Sequence, residues 1–417
     1  MIFTDEELSA VLAYTVALRR DFHRHPELSL EEYETAARIE AELDALQIPR
    51  RRVGQTGVLG ILRGAQDGPA VVLRGDIDAL AIREENDVPY RSEREGVMHA
   101  CGHDAHAACL LGAAKLLAAR RETLRGEVRL VFQPGEEIGK GAKPFIDAGV
   151  LEGAERVFGL HTAYDVPAGL VGLKPGLNNA GVDFFRVTVH GRSSHVSQPH
   201  DGVDALYIAC QLVVALQGLA TRRVAPTEPL ILGVGKLNAG TTYNALAETA
   251  VLEGTTRTVT HETRAWLRGE IDKMAAELSG FYGGTAEVFW DDFASPLYND
   301  GAVCAEAAAV ADALLGPGHV KTDRALSLSG DNFADFILDT PGAYAYLGTG
   351  DPAKPGTVNP NHNGRFDMDE DALQTGAALL AGYALSRLGM GDGHTQGPTE
   401  KANVDAVEGK SVSSEHQ

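Results

Sequence analysis

Four short apolar runs set the frame for this chain. Residues 58–62 and 71–76 are bounded by glycine, and 127–132 and 156–161 follow. Runs this short and this apolar suit strands buried in a sheet. Helical stretches separate them: residues 5–47, broken at His25-Pro26, then 105–119 and 141–148. Strands alternating with helices predict an α/β fold, a mostly parallel sheet flanked by helices. Such sheets place their sites beyond the C-terminal ends of the strands. Asp76, Glu136 and His161 are expected at those ends.

The texture changes near residue 181. Residues 183–190 alternate as a half-buried antiparallel strand would, and a helix over 203–220 follows. Strands near 230–237 and 247–257, a helix over 261–279 and a strand over 286–290 complete a strand-helix-strand-strand-helix-strand order. That order reads as an α+β sandwich inserted into the first domain. The expected division is a discontinuous catalytic domain, 1–180 with 296–390, and an inserted lid or dimerisation domain, 181–295. A length of 417 residues fits two cores better than one. Beyond Met390 the chain is polar and rich in Gly and Ser, so 391–417 is expected to be a disordered tail.

The net charge of −21 argues against a nucleic-acid partner, which needs clustered Lys and Arg. No stretch reaches the ~18 uninterrupted apolar residues of a membrane span. The N-terminus carries no long apolar run, so no signal peptide is expected. Four scattered cysteines, Cys101, Cys109, Cys210 and Cys304, do not form a disulfide framework. These features point to a cytoplasmic protein.

Met98-His99-Ala100-Cys101-Gly102-His103-Asp104-Ala105-His106 packs a thiol, three imidazoles and a carboxylate into nine residues. These are the side chains that bind divalent metals. A matching acidic pair, Glu136-Glu137, follows the strand 127–132. One carboxylate can hold metal while its neighbour faces the reacting water, which is the equipment of a metal-assisted hydrolase. A cysteine nucleophile paired with histidine is the competing reading, and it leaves the paired glutamates unused. His161 closes an apolar run, and His362 lies in a loop of turn formers, Asn359-Pro360-Asn361-His362-Asn363. Asp76 and Asp78 are placed to orient ligands from behind. In the inserted segment, His195 is a candidate oxyanion stabiliser. Gly240-Thr241-Thr242-Tyr243-Asn244 and Gly254-Thr255-Thr256-Arg257 offer polar contacts, and Arg257 can grip a carboxylate with two parallel hydrogen bonds.

Taken in order, these motifs resemble the peptidase M20 family, and within it the amidohydrolase subfamily of aminoacylases, hippurate hydrolases and auxin-conjugate hydrolases. The resemblance runs through His23-Arg24-His25-Pro26-Glu27-Leu28-Ser29, Gly75-Asp76-Ile77-Asp78-Ala79-Leu80, His99-Ala100-Cys101-Gly102-His103-Asp104 and Phe132-Gln133-Pro134-Gly135-Glu136-Glu137. It continues through Gly159-Leu160-His161, His190-Gly191-Arg192-Ser193-Ser194-His195 and Gly254-Thr255-Thr256-Arg257, and covers the chain to about Leu388.

The resemblance implies two divalent metal ions (Mn, Zn, Co or Ni) held by Cys101, His103, Glu137, His161 and His362, with Glu136 as general acid/base. It implies that His195 reaches the active site of a neighbouring subunit in a homodimer or homotetramer. The implied activity is hydrolysis of N-acyl amino acids, with Asn244 and Arg257 on the substrate carboxylate. A dipeptidase or carboxypeptidase of the same family, or a silent metal or amino-acid binding protein, are the alternatives. The chain departs from the family pattern at His362-Asn363-Gly364-Arg365-Phe366, where His-x-Pro-x-Phe is usual. Asp331-Asn332-Phe333 replaces Glu-Asp-Phe, and Ser193-Ser194 precede His195 where glycine is common.

Overall fold

The computed structural model describes residues 2–389, and the expected tail lies outside the described residues. The first helix, Asp5–Arg24, opens on a capping box. The Thr4 hydroxyl accepts from the Glu7 N–H, and the Glu7 carboxylate accepts from the Thr4 N–H. The helix ends just before His25-Pro26, because proline disfavours helical backbone in the residue before it.

An eight-stranded sheet runs in the order Arg50–Val53, Gly57–Arg63, Arg125–Gln133, Gln66–Asp76, Ala154–Pro167, Gly342–Gly350, Val171–Gly172, Val320–Lys321. The four central strands, from Arg125–Gln133 to Gly342–Gly350, are mutually parallel. Antiparallel pairs extend the sheet on both sides. Helix His103–Ala118 is buried along almost its whole length, so its Ala/Leu composition serves all sides at once. It packs between the sheet and the helices Asp5–Arg24 and Ala372–Leu388. Gly112 permits that crossing: a Cβ there would lie 2.6 Å from Thr15 Cγ2 and 2.8 Å from Ala377 Cβ. The opposite face of the sheet is covered by Phe145, Phe333 and Phe336 from two short helices, Ala142–Asp147 and Phe333–Phe336.

One expected strand end is corrected. The strand expected to close at His161 spans Ala154–Pro167, so His161 lies inside it. Pairing with Gly342–Gly350 continues past His161 to Gly350↔Pro167 and keeps the backbone extended. Asp76 does end its strand, and Glu136 lies three residues beyond Gln133, the last residue of its own.

The chain leaves the large sheet after Gly172 and rejoins it at Val320, and a short ribbon of Gly176–Asn179 with Leu297–Asn299 joins the two crossings. Between them lies a four-stranded antiparallel sheet in the order Thr285–Ala294, Gly181–His190, Thr249–Thr258, Leu230–Ala239. Helices Ala205–Arg222 and His261–Phe281 cover one face and share a separate core with Phe185, Val187 and Leu252. Helix Ala205–Arg222 has the length and apolarity of a membrane span, with a mean hydropathy of 1.3. Its buried residues Ile208, Leu212, Leu216 and Leu219 recur at helical spacing, which is the pattern of a helix seated on a sheet. At the crossing, the buried carboxylate of Asp183 receives two hydrogen bonds from Arg264, at 2.9 and 2.7 Å. Removing one member of so buried a pair costs about 3–5 kcal/mol.

Candidate active site

The parallel strands deliver three loops to one end of the large sheet. After Gln66–Asp76 come Asp78 and, further on, Cys101 and His103 at the start of the central helix. After Arg125–Gln133 comes Glu136-Glu137. His161 rises from Ala154–Pro167, and His362 arrives on the loop after Gly342–Gly350. Ligand-type atoms of Cys101, His103 and His161 lie within 4.8 Å of one another, as do those of Cys101, Glu137 and His362. Cys101 belongs to both groups, and His103, Glu136 and Glu137 form a third.

The hydrogen bonds behind these side chains decide which atoms are free. His103 Nδ1 donates to the Asp78 carbonyl at 3.0 Å, which fixes a proton on Nδ1, so in the neutral ring Nε2 keeps its lone pair. His161 Nδ1 donates to the Thr162 carbonyl at 2.7 Å, with the same result. His106 differs. Its Nε2 accepts from the Thr162 N–H at 2.9 Å and its Nδ1 meets Asp76, so neither nitrogen remains available. Asp78 ties two proposed ligands together: its carboxylate faces His103 Nδ1 at 3.2 Å and accepts from the Glu137 N–H at 3.0 Å.

Two backbone positions in the cup lie in the left-handed region. His362 has a φ of 63°, in the left-handed region that side chains other than glycine rarely occupy, and its N–H donates to the Ala100 carbonyl at 2.8 Å. That hydrogen bond pulls the loop onto the Cys101 segment. Gly102 has a φ of 88°, and a Cβ there would lie 2.4 Å from Thr162 Oγ1. Only glycine lets Cys101 and His103 turn toward the same point.

The donor set fits divalent cations. His103 Nε2 and Glu137 Oε1 are buried without a hydrogen-bond partner among the described residues and lie 3.9 Å apart. Leaving such atoms unmade is costly unless something binds there. His362 Nε2 lies 3.2 Å from the same Glu137 oxygen. Thiolate, imidazole and carboxylate together suit zinc, cobalt, nickel or manganese.

Glu136 is 5% exposed. Burial, then the charges of Asp331 and Glu137, push its carboxyl well above the usual range. A carboxyl tuned upward in a cleft is suited to carrying a proton. Burial alone would raise Asp76 as well, but Arg74 and then His103 and His106 hold it well below the usual range. The buried Arg74 donates to Asp76 at 2.7 Å and to the Tyr344 hydroxyl at 3.1 Å, and lies 3.3 Å from Asp331. Sequence reasoning missed Arg74, although a charge inside the apolar run 71–76 was its signal.

A cavity of about 830 Å³ opens over this cup and is walled by both sheets. Arg257 lines it, opposite Val182 in the register of the small sheet. Arg257 donates to Thr255 Oγ1 and the Thr256 carbonyl, and pairs with no carboxylate among the described residues. Burial lowers its pKa, against a smaller opposing pull from Asp183. His195 and Asn244 do not line the cavity of their own chain. They lie together on the exposed end of the small sheet, where Val196 N–H donates to the Asn244 carbonyl at 3.1 Å. His195 Nδ1 accepts from the Ser197 N–H at 3.1 Å, so in the neutral ring Nε2 carries the hydrogen and points outward as a donor.

Comparison with known proteins places the whole fold among characterised families. The sequence model described as Peptidase family M20/M25/M40 matches residues 72–386. N-acetyl-L-cysteine deacetylase of Bacillus subtilis (strain 168) is 41% identical over 368 residues, 88% of this chain and 86% of the relative. Thermostable carboxypeptidase 1 of Saccharolobus solfataricus is 37% identical over 376 residues, 88% of this chain and 94% of the relative. The crystal structure of the Bacillus subtilis YXEP protein, described as a dinuclear metal binding peptidase from the M20 family, superposes with a TM-score of 0.77. It is 34% identical, covering 91% of this chain and 99% of that one.

Proposed function

The chain belongs to peptidase family M20/M25/M40, and from that premise we propose that it is a metal-dependent amidohydrolase that releases amino acids from N-acyl amino acids. One observation carries the reading: the buried, unpartnered atoms of His103 and Glu137 sit beside Glu136 under a cavity that also holds an unpaired arginine. Cys101, His103, Glu137, His161 and His362 would hold two divalent ions, of manganese, zinc, cobalt or nickel. When bound, such ions supply Lewis-acid activation of a water and polarise the scissile carbonyl.

The chain's own residues do the rest. Arg257 grips the substrate carboxylate and sets the amide over Glu136. A Glu136 carboxylate oxygen takes a proton from the attacking water and passes it to the leaving nitrogen. Its burial supports that role, because a raised pKa makes both transfers accessible. His195 Nε2–H stabilises the oxyanion, and Asn244 adds a hydrogen bond to the carboxylate, both from a second copy of this chain. In this reading residues 181–295 serve as lid and dimerisation domain, and 1–180 with 296–390 as the catalytic domain, in a homodimer or homotetramer. A reducing cytoplasm suits the free thiol of Cys101.

A carboxypeptidase or dipeptidase reading draws support from the relative so named. Metal-reconstituted protein offered N-acetyl amino acids beside free dipeptides separates the two. Release of amino acid from the N-acetyl compounds is the expected result, and cleavage of the peptides alone moves the assignment to the peptidases.

A further inference from the structure

The cavity holds a second guanidinium that the reaction above does not use. Arg324 lies on the loop after Val320–Lys321 and lines the same cavity as Arg257. Its Cζ sits 3.6 Å from the centroid of the Tyr346 ring. That ring is fixed: Tyr346 is 5% exposed, and its hydroxyl donates to the Asn179 side chain. In the large sheet Tyr346 pairs in register with His161, so Arg324 is anchored one strand away from the metal cup.

The partner Arg324 has is a loose one. Asp165 is 48% exposed, and its oxygens lie 3.4 and 3.5 Å from Nη2. Bonds that long, to a carboxylate that open to water, contribute little. They engage one of three nitrogens, while Arg324 Nε is buried with no hydrogen-bond partner among the described residues. A guanidinium offers five donors in a planar fork, and a stacked fork is the usual receptor for a planar carboxylate. A ligand carboxylate would bond the two terminal nitrogens of the fork and displace only a weak contact.

We infer that Arg324 binds a second carboxylate, so that the preferred substrates are N-acyl amino acids carrying two carboxylates, one for Arg257 and one for Arg324. The inference rests on the amidohydrolase reading. The second carboxylate has two sources, an acidic amino-acid side chain or a dicarboxylic acyl group, and both present the same chemistry to the fork.

Two matched pairs test it with metal-loaded enzyme: N-acetylglutamate against N-acetylglutamine, and N-succinylleucine against N-acetylleucine. One dicarboxylate is expected to exceed its monocarboxylate partner in kcat/KM by about 10- to 100-fold, the worth of a charge-assisted hydrogen bond. The pair that shows the preference identifies the source. Arg324→Gln removes the preference and leaves the monocarboxylates within about 3-fold of wild type, as a loosely paired loop residue should. Arg324→Lys, which keeps the charge without the fork, retains part of it and guards against a misfolded Gln variant. Arg257→Gln lowers all four substrates together. Equal kcat/KM within both pairs, or an Arg324→Gln loss shared by all four compounds, overturns the inference. Calorimetric affinities of the same compounds on Glu136→Gln separate the two claims. If nothing is turned over, the amidohydrolase reading falls, while a dicarboxylate preference in affinity, or its absence, still decides Arg324.

Discussion

His103 and His195 each keep one ring nitrogen free, and their surroundings differ in nearly every other respect. His103 is fully buried, and its ring is held by Asp78, a residue remote in sequence. Around it Arg74, Asp76, Asp331 and Tyr344 form a charged network with almost no access to water. His195 is exposed, and its ring is steadied by Ser197, two residues away. A side chain fixed by distant parts of its own chain is preorganised before anything binds. A side chain with local support alone presents its donor to solvent, and a second molecule can complete its surroundings. One chain thus carries a finished cup and an unfinished edge.

Four experiments try this contrast, beginning with the largest effect. Chelation should abolish activity, and manganese, cobalt, zinc or nickel should restore it to differing degrees. Full activity in protein shown by elemental analysis to be metal-free would remove the cup's proposed purpose. Next, Glu136→Ala should lower turnover by about 10⁴-fold, the upper end for one acid/base group, since it acts in both proton transfers. Its metal content should stay at the parent level, whereas Glu137→Ala should lose metal first. Elemental analysis beside turnover reads both, and the opposite pattern reverses the two assignments.

His195→Ala should cost about 10²–10³-fold in kcat, typical of one lost oxyanion donor, with metal content unchanged. Mixed with inactive Glu136→Ala chains it should regain some activity, because a hybrid has one intact site. No recovery in a mixture shown to contain heterodimers would make the exposed edge irrelevant to the chemistry. The smallest effect expected is on stability. Gly102→Ala forces a side chain into left-handed backbone against Thr162, a strain of roughly 1–3 kcal/mol or more. Denaturant titration measures it, and a variant as stable as the parent would show that the cup tolerates slack.

Much of this contrast was legible in the sequence, and the illegible part has a common cause. Apolar runs and helical spacing gave the two sheets, because burial on a face imposes a period that survives in the residue order. The run ending at His161 misled, since residues 162–167 are too polar to read as strand; their pairing with Gly342–Gly350 is a long-range fact. The cluster from His99 to His106 announced a metal cup, yet residue types do not separate His103 from His106. Only the Thr162 N–H, which occupies His106 Nε2, does so. Arg324 belongs to no spacing that signals a site, and Arg74 shows only as a charge inside an apolar run; each acquires its meaning from partners far along the chain. His195 was picked out by its motif, but its exposure and the direction of its free hydrogen come from the fold.

The contact between Gly102 and Thr162 reaches beyond stability. Replacing Gly102 first would bring a Cβ to 2.4 Å from the Thr162 hydroxyl, so the hydroxyl or the turn has to shift. Shortening Thr162 first opens the space but gives up its hydroxyl bond to the Cys101 carbonyl, at 3.1 Å. Even then the left-handed backbone penalises every residue but glycine, with asparagine the mildest exception. The two positions are therefore coupled, and a change at either disturbs the turn between Cys101 and His103.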